Sequence, residues 1–346
     1  MQNKELFIQY QSLRRNVSEG KNFSVIPLAG TSHKLGVSKE GYPKFFLATN
    51  DTISNKPNTS LNILTVEYNL TCTLVDDLGN ENICHYTVLT LRSVDDTLQE
   101  DFLDLVVMMI SRLPLIPSKK EIAIEVENLI SIFSSMTCPP RKKIQGLWSE
   151  LLVIEQSINP ETLISAWHSS PTAKYDFTLG KDKLEVKSTS SENRIHHFSL
   201  DQLIPSVHSN IVIASTIVRE SGAGNGGISI NGLSDKICER IDSVDAKIRL
   251  ITIVAETLGT DYARAKDVYF DYVESCDKLK FYDAADVPGV DKDGVHVGVS
   301  CVGFKSDLTG APDVFSPDSH FCVKESELYM NLFNNSKHYD YGESKK

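Results

Sequence analysis

Asp176, Glu185 and Lys187 lie within sixteen residues, Lys174–Thr189 (KYDFTLGKDKLEVKST), and are the residues of this chain best placed to do chemistry. Two alternating runs, 174–179 and 183–189, flank Gly180-Lys181, a centre whose glycine accepts positive φ, so the stretch reads as a β-hairpin. With Gly180 and Lys181 as the loop, Leu179 sits opposite Asp182, Asp176 opposite Glu185 and Tyr175 opposite Val186. Alternation then puts Tyr175, Phe177, Leu179, Leu184 and Val186 on an apolar side and Asp176, Glu185 and Lys187 on the other. Facing carboxylates on β-carbons about 5 Å apart repel unless a cation lies between them. Mg²⁺ answers that need, because it takes oxygen ligands at about 2.1 Å and usually only one or two carboxylates from protein. Lys187 sets a positive charge beside any water on the metal, which is the equipment for metal-assisted hydrolysis. The competing reading is a solvated hairpin face with alternating charges.

The elements that must position these residues follow from the flanking sequence. Upstream, Ser118 with Glu121 forms a capping box that opens a helix to about Met136. Cys138-Pro139-Pro140 breaks it, and Arg141-Lys142-Lys143 begins a further helix, RKKIQGLWSELLVIEQSI. Ile144, Leu147, Trp148, Leu151 and Leu152 make its apolar stripe, and Glu150 falls between that stripe and the polar edge. Gly146, four residues earlier, would let the helix approach another backbone and turn Glu150 inward; the competing reading is a solvent-facing glutamate. Downstream, 197–203 (HFSLDQL) reads as a strand end running into a short helix, and 210–218 (NIVIASTIV) as a buried strand. The loop 221–227 (SGAGNGG) lacks the Lys-Ser/Thr of a phosphate-binding loop and reads as a turn.

The rest of the chain frames this core. Residues 23–92 are strand-like, with a hairpin turn expected at Asp77-Leu78-Gly79-Asn80, and 97–113 turn helical before the prolines at 114 and 117. From 234 to about 284 helices dominate, and the last sixty residues mix short strands with an acidic tail. The expected organisation is an N-terminal β-rich module over 1–113, a core over 114–225 and a C-terminal helical and mixed region over 226–346.

Composition narrows the classes. The chain has 346 residues, 41% hydrophobic and 23% charged, with no apolar run long enough to span a bilayer and no signal-like N-terminus, so a cytoplasmic protein is expected. Seven scattered cysteines without a C-x-x-C pair read as reduced, mostly buried thiols and argue against zinc. A net charge of -11 argues against a general polyanion binder. Between Lys119 and Arg219, however, eleven Lys/Arg balance eleven Asp/Glu, and His168, His196, His197 and His208 fall there too, so a nucleic-acid surface belongs to the middle third.

Glu150 in GLWSELL, Asp176 entering a strand, Glu185-Val186-Lys187 on the next and Gln202 beyond it are similar to the core of the PD-(D/E)XK nuclease superfamily. The phrases GLWSELLVIE and YDFTLG…LEVKSTS…HHFSLDQL more closely resemble an uncharacterised bacterial family grouped with those nucleases and encoded beside restriction and phage-defence genes. Tyr175 stands where the motif name has proline. The resemblance implies an α/β (mixed α+β) restriction-endonuclease-like core. It implies Mg²⁺, with Mn²⁺ as the alternative, held by Asp176, Glu185 and the carbonyl of Val186. It also implies Lys187 polarising water or phosphate, Glu150 orienting water or a second metal, and Gln202 in support. The expected function is a Mg²⁺-dependent DNA endonuclease of a restriction or phage-defence system. Its expected partners are DNA and proteins of a defence operon, with no membrane and with homodimerisation open. The alternative is a catalytically silent DNA-binding or scaffold subunit.

Overall fold

The computed structural model describes residues 2–16, 23–49, 56–75, 79–168, 173–204, 209–291, 294–316 and 326–332. The chain forms two compact units, Met1–Cys138 and Pro139–Lys346.

The first unit begins with helix α1 (Gln2–Arg15) and continues into an antiparallel sheet of β1 (Phe23–Pro27), β2 (Lys34–Ser38), β3 (Pro43–Ala48), β4 (Thr59–Ser60), β5 (Leu64–Val75) and β6 (Glu81–Leu91), in the order β1-β2-β3-β6-β5-β4. Leu74 pairs with Asn82 and Val75 with Glu81, so β5 and β6 meet where the hairpin turn was expected; Asp77 and Leu78 lie outside the described residues. Helix α2 (Asp96–Ser111) is capped by the Asp95 carboxylate, and α3 (Lys119–Ser135) by the reciprocal Ser118–Glu121 box. Phe45 of β3, Phe102 of α2 and Phe133 of α3 stack edge to face at 5.6 and 5.9 Å between centroids. That aromatic column is why the unit continues to Cys138 instead of closing at residue 113, where the sequence reading drew a boundary.

The second unit opens with α4 (Ile144–Gln156), α5 (Pro160–Ala166), β7 (Phe177–Leu179), β8 (Asp182–Thr189), β9 (Ile195–Ser199), α6 (Leu200–Leu203) and β10 (Asn210–Ile217). It continues through β11 (Glu220–Ser221), β12 (Gly227–Ile228), α7 (Ile230–Glu239), α8 (Val244–Leu258), α9 (Tyr262–Ala265), β13 (Tyr269–Asp271), α10 (Tyr272–Asp277), β14 (Lys280–Asp283), β15 (Gly303–Asp307) and α11 (Glu327–Met330). Tyr269–Asp271 is therefore a strand inside a region expected to be helical. It pairs with β11 and β12, a non-local partnership that local propensity does not display.

Four strands form the central sheet in the order β14-β10-β8-β7. β10 runs parallel to β8, with Leu184 beside Val212 and Glu185 beside Ile213, while β7 and β14 are antiparallel edges. The parallel crossover passes through β9 and α6, and β9 pairs with β15. One face of the sheet (Phe177, Leu184, Val212, Ala214) packs against α4, α5, α7 and α8 through Trp148, Leu151, Leu163, Leu233 and Leu250. The other face (Ile211, Ile213, Tyr282) packs with Tyr175, Phe198 and Leu308. Because the first of these cores runs from Ile144 to Leu332, the region 226–346 is not set apart from the core, as the sequence reading had it.

Among the described residues no helix is long and apolar enough to cross a membrane. The described cysteines are free thiols, but only Cys72 is buried, which corrects the expectation that most would be. His208 and Cys322 lie outside the described residues.

Candidate active site

The hairpin has the register its sequence predicts, with Leu179 opposite Asp182 and Gly180 at φ +56° in the turn. The ladder stops at the Phe177–Leu184 pair, one residue short of Asp176. Residues 174–176 form a bend instead of strand, so alternation does not carry through them. Two consequences follow. Tyr175 crosses to the Ile211/Ile213 side of the sheet, away from Phe177 and Leu184, which corrects its expected face. Val186 does pack beside Leu184, but is half-buried. Asp176, freed from the ladder, turns its carboxylate to the next strand and accepts a hydrogen bond from the Val186 backbone N–H (2.8 Å to Oδ2).

Past the end of α5 the backbone makes a bridge between Trp167 and Phe177, and the His168 N–H donates to the Asp176 carbonyl (2.8 Å). His168 sits at φ +41°, the left-handed region that a histidine tolerates more readily than a branched residue. This bridge delivers two side chains to Glu150. Its Oε2 accepts from the Trp167 indole N–H at 2.7 Å and faces His168 Nε2 at 2.9 Å.

Glu150 itself is 2% exposed. Its helix is buried nearly all round, from Leu147 to Glu155, so an inward glutamate is the rule for α4 rather than the exception. The glycine argument does not explain it: a Cβ on Gly146 would meet nothing within 4 Å. What holds Glu150 is its set of donors. The third is Lys142, whose ammonium donates to Glu150 Oε1 at 2.5 Å and also to Asp176 Oδ1. Lys142 can reach both because α4 begins at Ile144, later than the sequence reading placed it. The Arg141–Lys143 segment is non-helical after the two prolines, and Lys143 caps the helix without a side-chain hydrogen bond.

Glu185 projects from β8 on the Ile213 side, 5% exposed. Its Oε1 accepts from Lys187 Nζ (2.8 Å) and from the Gln202 amide (2.7 Å). Gln202 in turn is held by the Ser199 N–H, which donates to its Oε1 at 3.0 Å at the start of α6, and Lys187 lies 3.5 Å from the same oxygen. Lys187 also stands 5.1 Å over the Phe198 ring. Gln202 is thus a positioning residue for Glu185 and Lys187.

The structure therefore brings Glu150 and Asp176 together through Lys142, and Glu185, Lys187 and Gln202 together on β8 and α6, the two groups meeting at the Val186 N–H; among the described residues the close set of ligand atoms is Glu150, His168 and Asp176, without Glu185. The sequence reading missed Lys142, Trp167 and His168. Lys142 was assigned to a helix, and a lone histidine after a short helix carries no spacing signal.

Charge balance decides what this cluster can hold. Burial pushes the Asp176 carboxyl well above its usual range, and the neighbouring Glu150 and Glu185 charges push it further, against the pull of Lys142. Burial would also raise Glu150, but the His168 hydrogen bond and the Lys142 charge outweigh it and hold that carboxyl low. An ionised Glu150 only accepts, so His168 presents Nε2–H to it. Lys142, although burial disfavours its ammonium, is held above the ordinary lysine value by Glu150 and Asp176. Three buried carboxylates, Glu150, Asp176 and Glu185, thus share this region with the Lys142 and Lys187 ammonium groups and the His168 imidazole. Glu150, His168 and Asp176 each offer a ligand atom, all within 4.8 Å of one another. Carboxylate oxygens with one imidazole suit a hard to borderline divalent cation. The donors present fit a metal.

The sequence matches the family described as "Putative PD-(D/E)XK family member (DUF4420)" over residues 8–309. The chain belongs to that family. Comparisons with curated proteins and with solved structures found no match. Membership in the PD-(D/E)XK family agrees with the mixed α/β architecture and points to nuclease-like chemistry, for which divalent metals are the general requirement. Glu150 and Asp176 are joined through the Lys142 ammonium, and Asp176 meets the Glu185-Val186-Lys187 strand at the Val186 N–H.

Proposed function

We propose that this protein is a Mg²⁺-dependent DNA endonuclease, with Mn²⁺ as the alternative ion, acting in a bacterial restriction or phage-defence setting. The observation that carries the reading is the presence of three buried carboxylates, Glu150, Asp176 and Glu185, each 5% exposed or less, beside Lys187 in a chain that matches the family. Asp176 and Glu185 would hold the ion with the Val186 carbonyl, and Glu150 and His168 are close enough to Asp176 to join them. A bound divalent cation would supply Lewis-acid charge to a phosphodiester and a water of lowered pKa.

The chain's own residues do the rest. Lys187, anchored by Glu185 and Gln202, sets a fixed ammonium where negative charge develops on the phosphate. Trp167 and His168 fix the Glu150 carboxylate in one orientation, so that no reorganisation is needed when substrate arrives. DNA as substrate follows from the nuclease-like family, and the charge-neutral middle third is the stretch of this acidic chain that repels a polyanion least.

Incubating supercoiled plasmid with the protein and millimolar Mg²⁺ tests the reading: nicked or linear product is expected, abolished by chelator and by Asp176→Ala. Retention of plasmid binding without any cutting, together with no calorimetric signal for Mg²⁺ or Mn²⁺, would replace it with a silent DNA-binding subunit.

A further inference from the structure

We propose that Lys142 is a resident counter-ion occupying the position between Glu150 and Asp176 that a divalent cation would take, and that metal entry requires its ammonium to leave. The inference rests on the metal-binding reading above and adds a gate to it.

Lys142 Nζ donates to an oxygen of Glu150 (2.5 Å) and to an oxygen of Asp176, the two carboxylates that, with His168, offer ligand atoms within 4.8 Å of one another. An ammonium has three donors and no lone pair, so it cannot join a coordination shell. It also cannot remain between two carboxylates beside a dication, since like charges about 4 Å apart repel by several kcal/mol even at an effective dielectric of about 20. One of the two must go.

The way Lys142 is tethered makes it the one that moves. Glu150 sits on the buried α4 and Asp176 is pinned through its carbonyl and carboxylate, whereas Lys142 lies in the non-helical 141–143 segment, its side chain 34% exposed against 2% and 7% for its partners. A rotation about its stem carries the ammonium to water while leaving both carboxylates in place. Without metal, the same ammonium offsets the repulsion between two buried carboxylates. Both carboxylates keep their places through α4 and the Val186 N–H, so Lys142 lowers the apparent metal affinity by the fraction of time it is in place.

Calorimetry with MgCl₂ and with MnCl₂ on the wild type, Lys142→Met and Lys183→Met checks this without reference to cleavage. Lys142→Met should bind at least about tenfold more tightly than wild type, and Mg²⁺ should raise its melting temperature by more than it raises that of the wild type. Lys183→Met, whose ammonium rests on the Gly180 carbonyl of the hairpin turn, should leave affinity unchanged. Equal affinity in wild type and Lys142→Met, weaker binding in Lys142→Met, or an equal gain in Lys183→Met would each overturn the gate while leaving the metal reading intact. Absence of binding in all three would overturn both. Should Lys142→Met fail to fold, lysine ammonium ¹H–¹⁵N spectra of the wild type decide: the protected Lys142 signal present without metal should vanish on adding Mg²⁺, and its persistence at saturating Mg²⁺ would overturn the proposal.

Discussion

Lys187 and Asp176 separate two kinds of work within one cluster. Lys187 touches Glu185 and Gln202 through its ammonium and is no ligand, so Lys187→Met should keep the metal isotherm close to wild type but cut about 10² to 10³ more slowly at any Mg²⁺ concentration. Asp176→Ala should instead weaken the isotherm itself, and raised Mg²⁺ should restore part of the cutting. On the same face of the sheet His196 makes a different prediction. It is 4% exposed, its Nε2 is 2.8 Å from the Ser215 hydroxyl, and burial, with Lys187 and Arg194 nearby, pushes its pKa down to about 4. The unfolded chain takes up this proton near pH 6.5 and the folded chain only near 4. Stability is therefore fully present above about 6.5 and is lost as pH falls towards 4, by about 3 kcal/mol at most. His196→Gln should flatten that part of the denaturation-midpoint profile. Of the residues in this cluster, Glu185 and Lys187 were legible because strand alternation and a glycine turn are local signals, whereas Asp176 sits in a bend one residue past the ladder, where alternation no longer sets its direction. Lys142 and His168 were not, because each reaches Glu150 from a non-helical segment whose path is set by tertiary contacts.

At the scale of elements, α4 shows where local reading fails. The sequence offered Gly146 as the reason Glu150 turns inward, yet the space above that glycine is open. Glu150 is inward because Trp167 and His168 after α5 and Lys142 before α4 converge on it, and none of these lies within a turn of it along the helix. Gly146→Ala should therefore stabilise the protein by about 0.5 to 1 kcal/mol through helix propensity alone, with metal binding unchanged, seen as a rise in urea midpoint at constant slope. A loss of stability would restore the close-approach argument. The start of α4 was misread for a related reason: Lys143 stands at the cap, where Ser, Thr, Asp or Asn would have announced the boundary. By contrast the Ser118–Glu121 box marked α3 correctly, because that motif is complete in the sequence.

For the whole molecule, the division at Cys138/Pro139 places every site residue in the second unit. Residues 139–346 expressed alone should give the same Mg²⁺ isotherm as the full chain, and a loss of binding on removing 1–138 would show that the first unit completes the site. The architecture was readable as β-rich then mixed, since composition shifts between the two. The boundary was not, because the prolines at 114 and 117 look like a linker while the Phe45–Phe102–Phe133 column carries the unit past them.

The chain contains two tryptophans, and the structure gives them unlike surroundings. Trp148 donates its indole N–H to the Ile228 carbonyl, a neutral backbone partner, whereas Trp167 donates to the Glu150 carboxylate and stacks on Phe177 at 6.3 Å. The second indole thus has a carboxylate charge at its N–H, and a change of charge beside it is expected to shift its emission colour. Cation arrival at Glu150 would then be readable optically: titration with Mg²⁺ should move the emission maximum in wild type and in Trp148→Phe, and leave it still in Trp167→Phe.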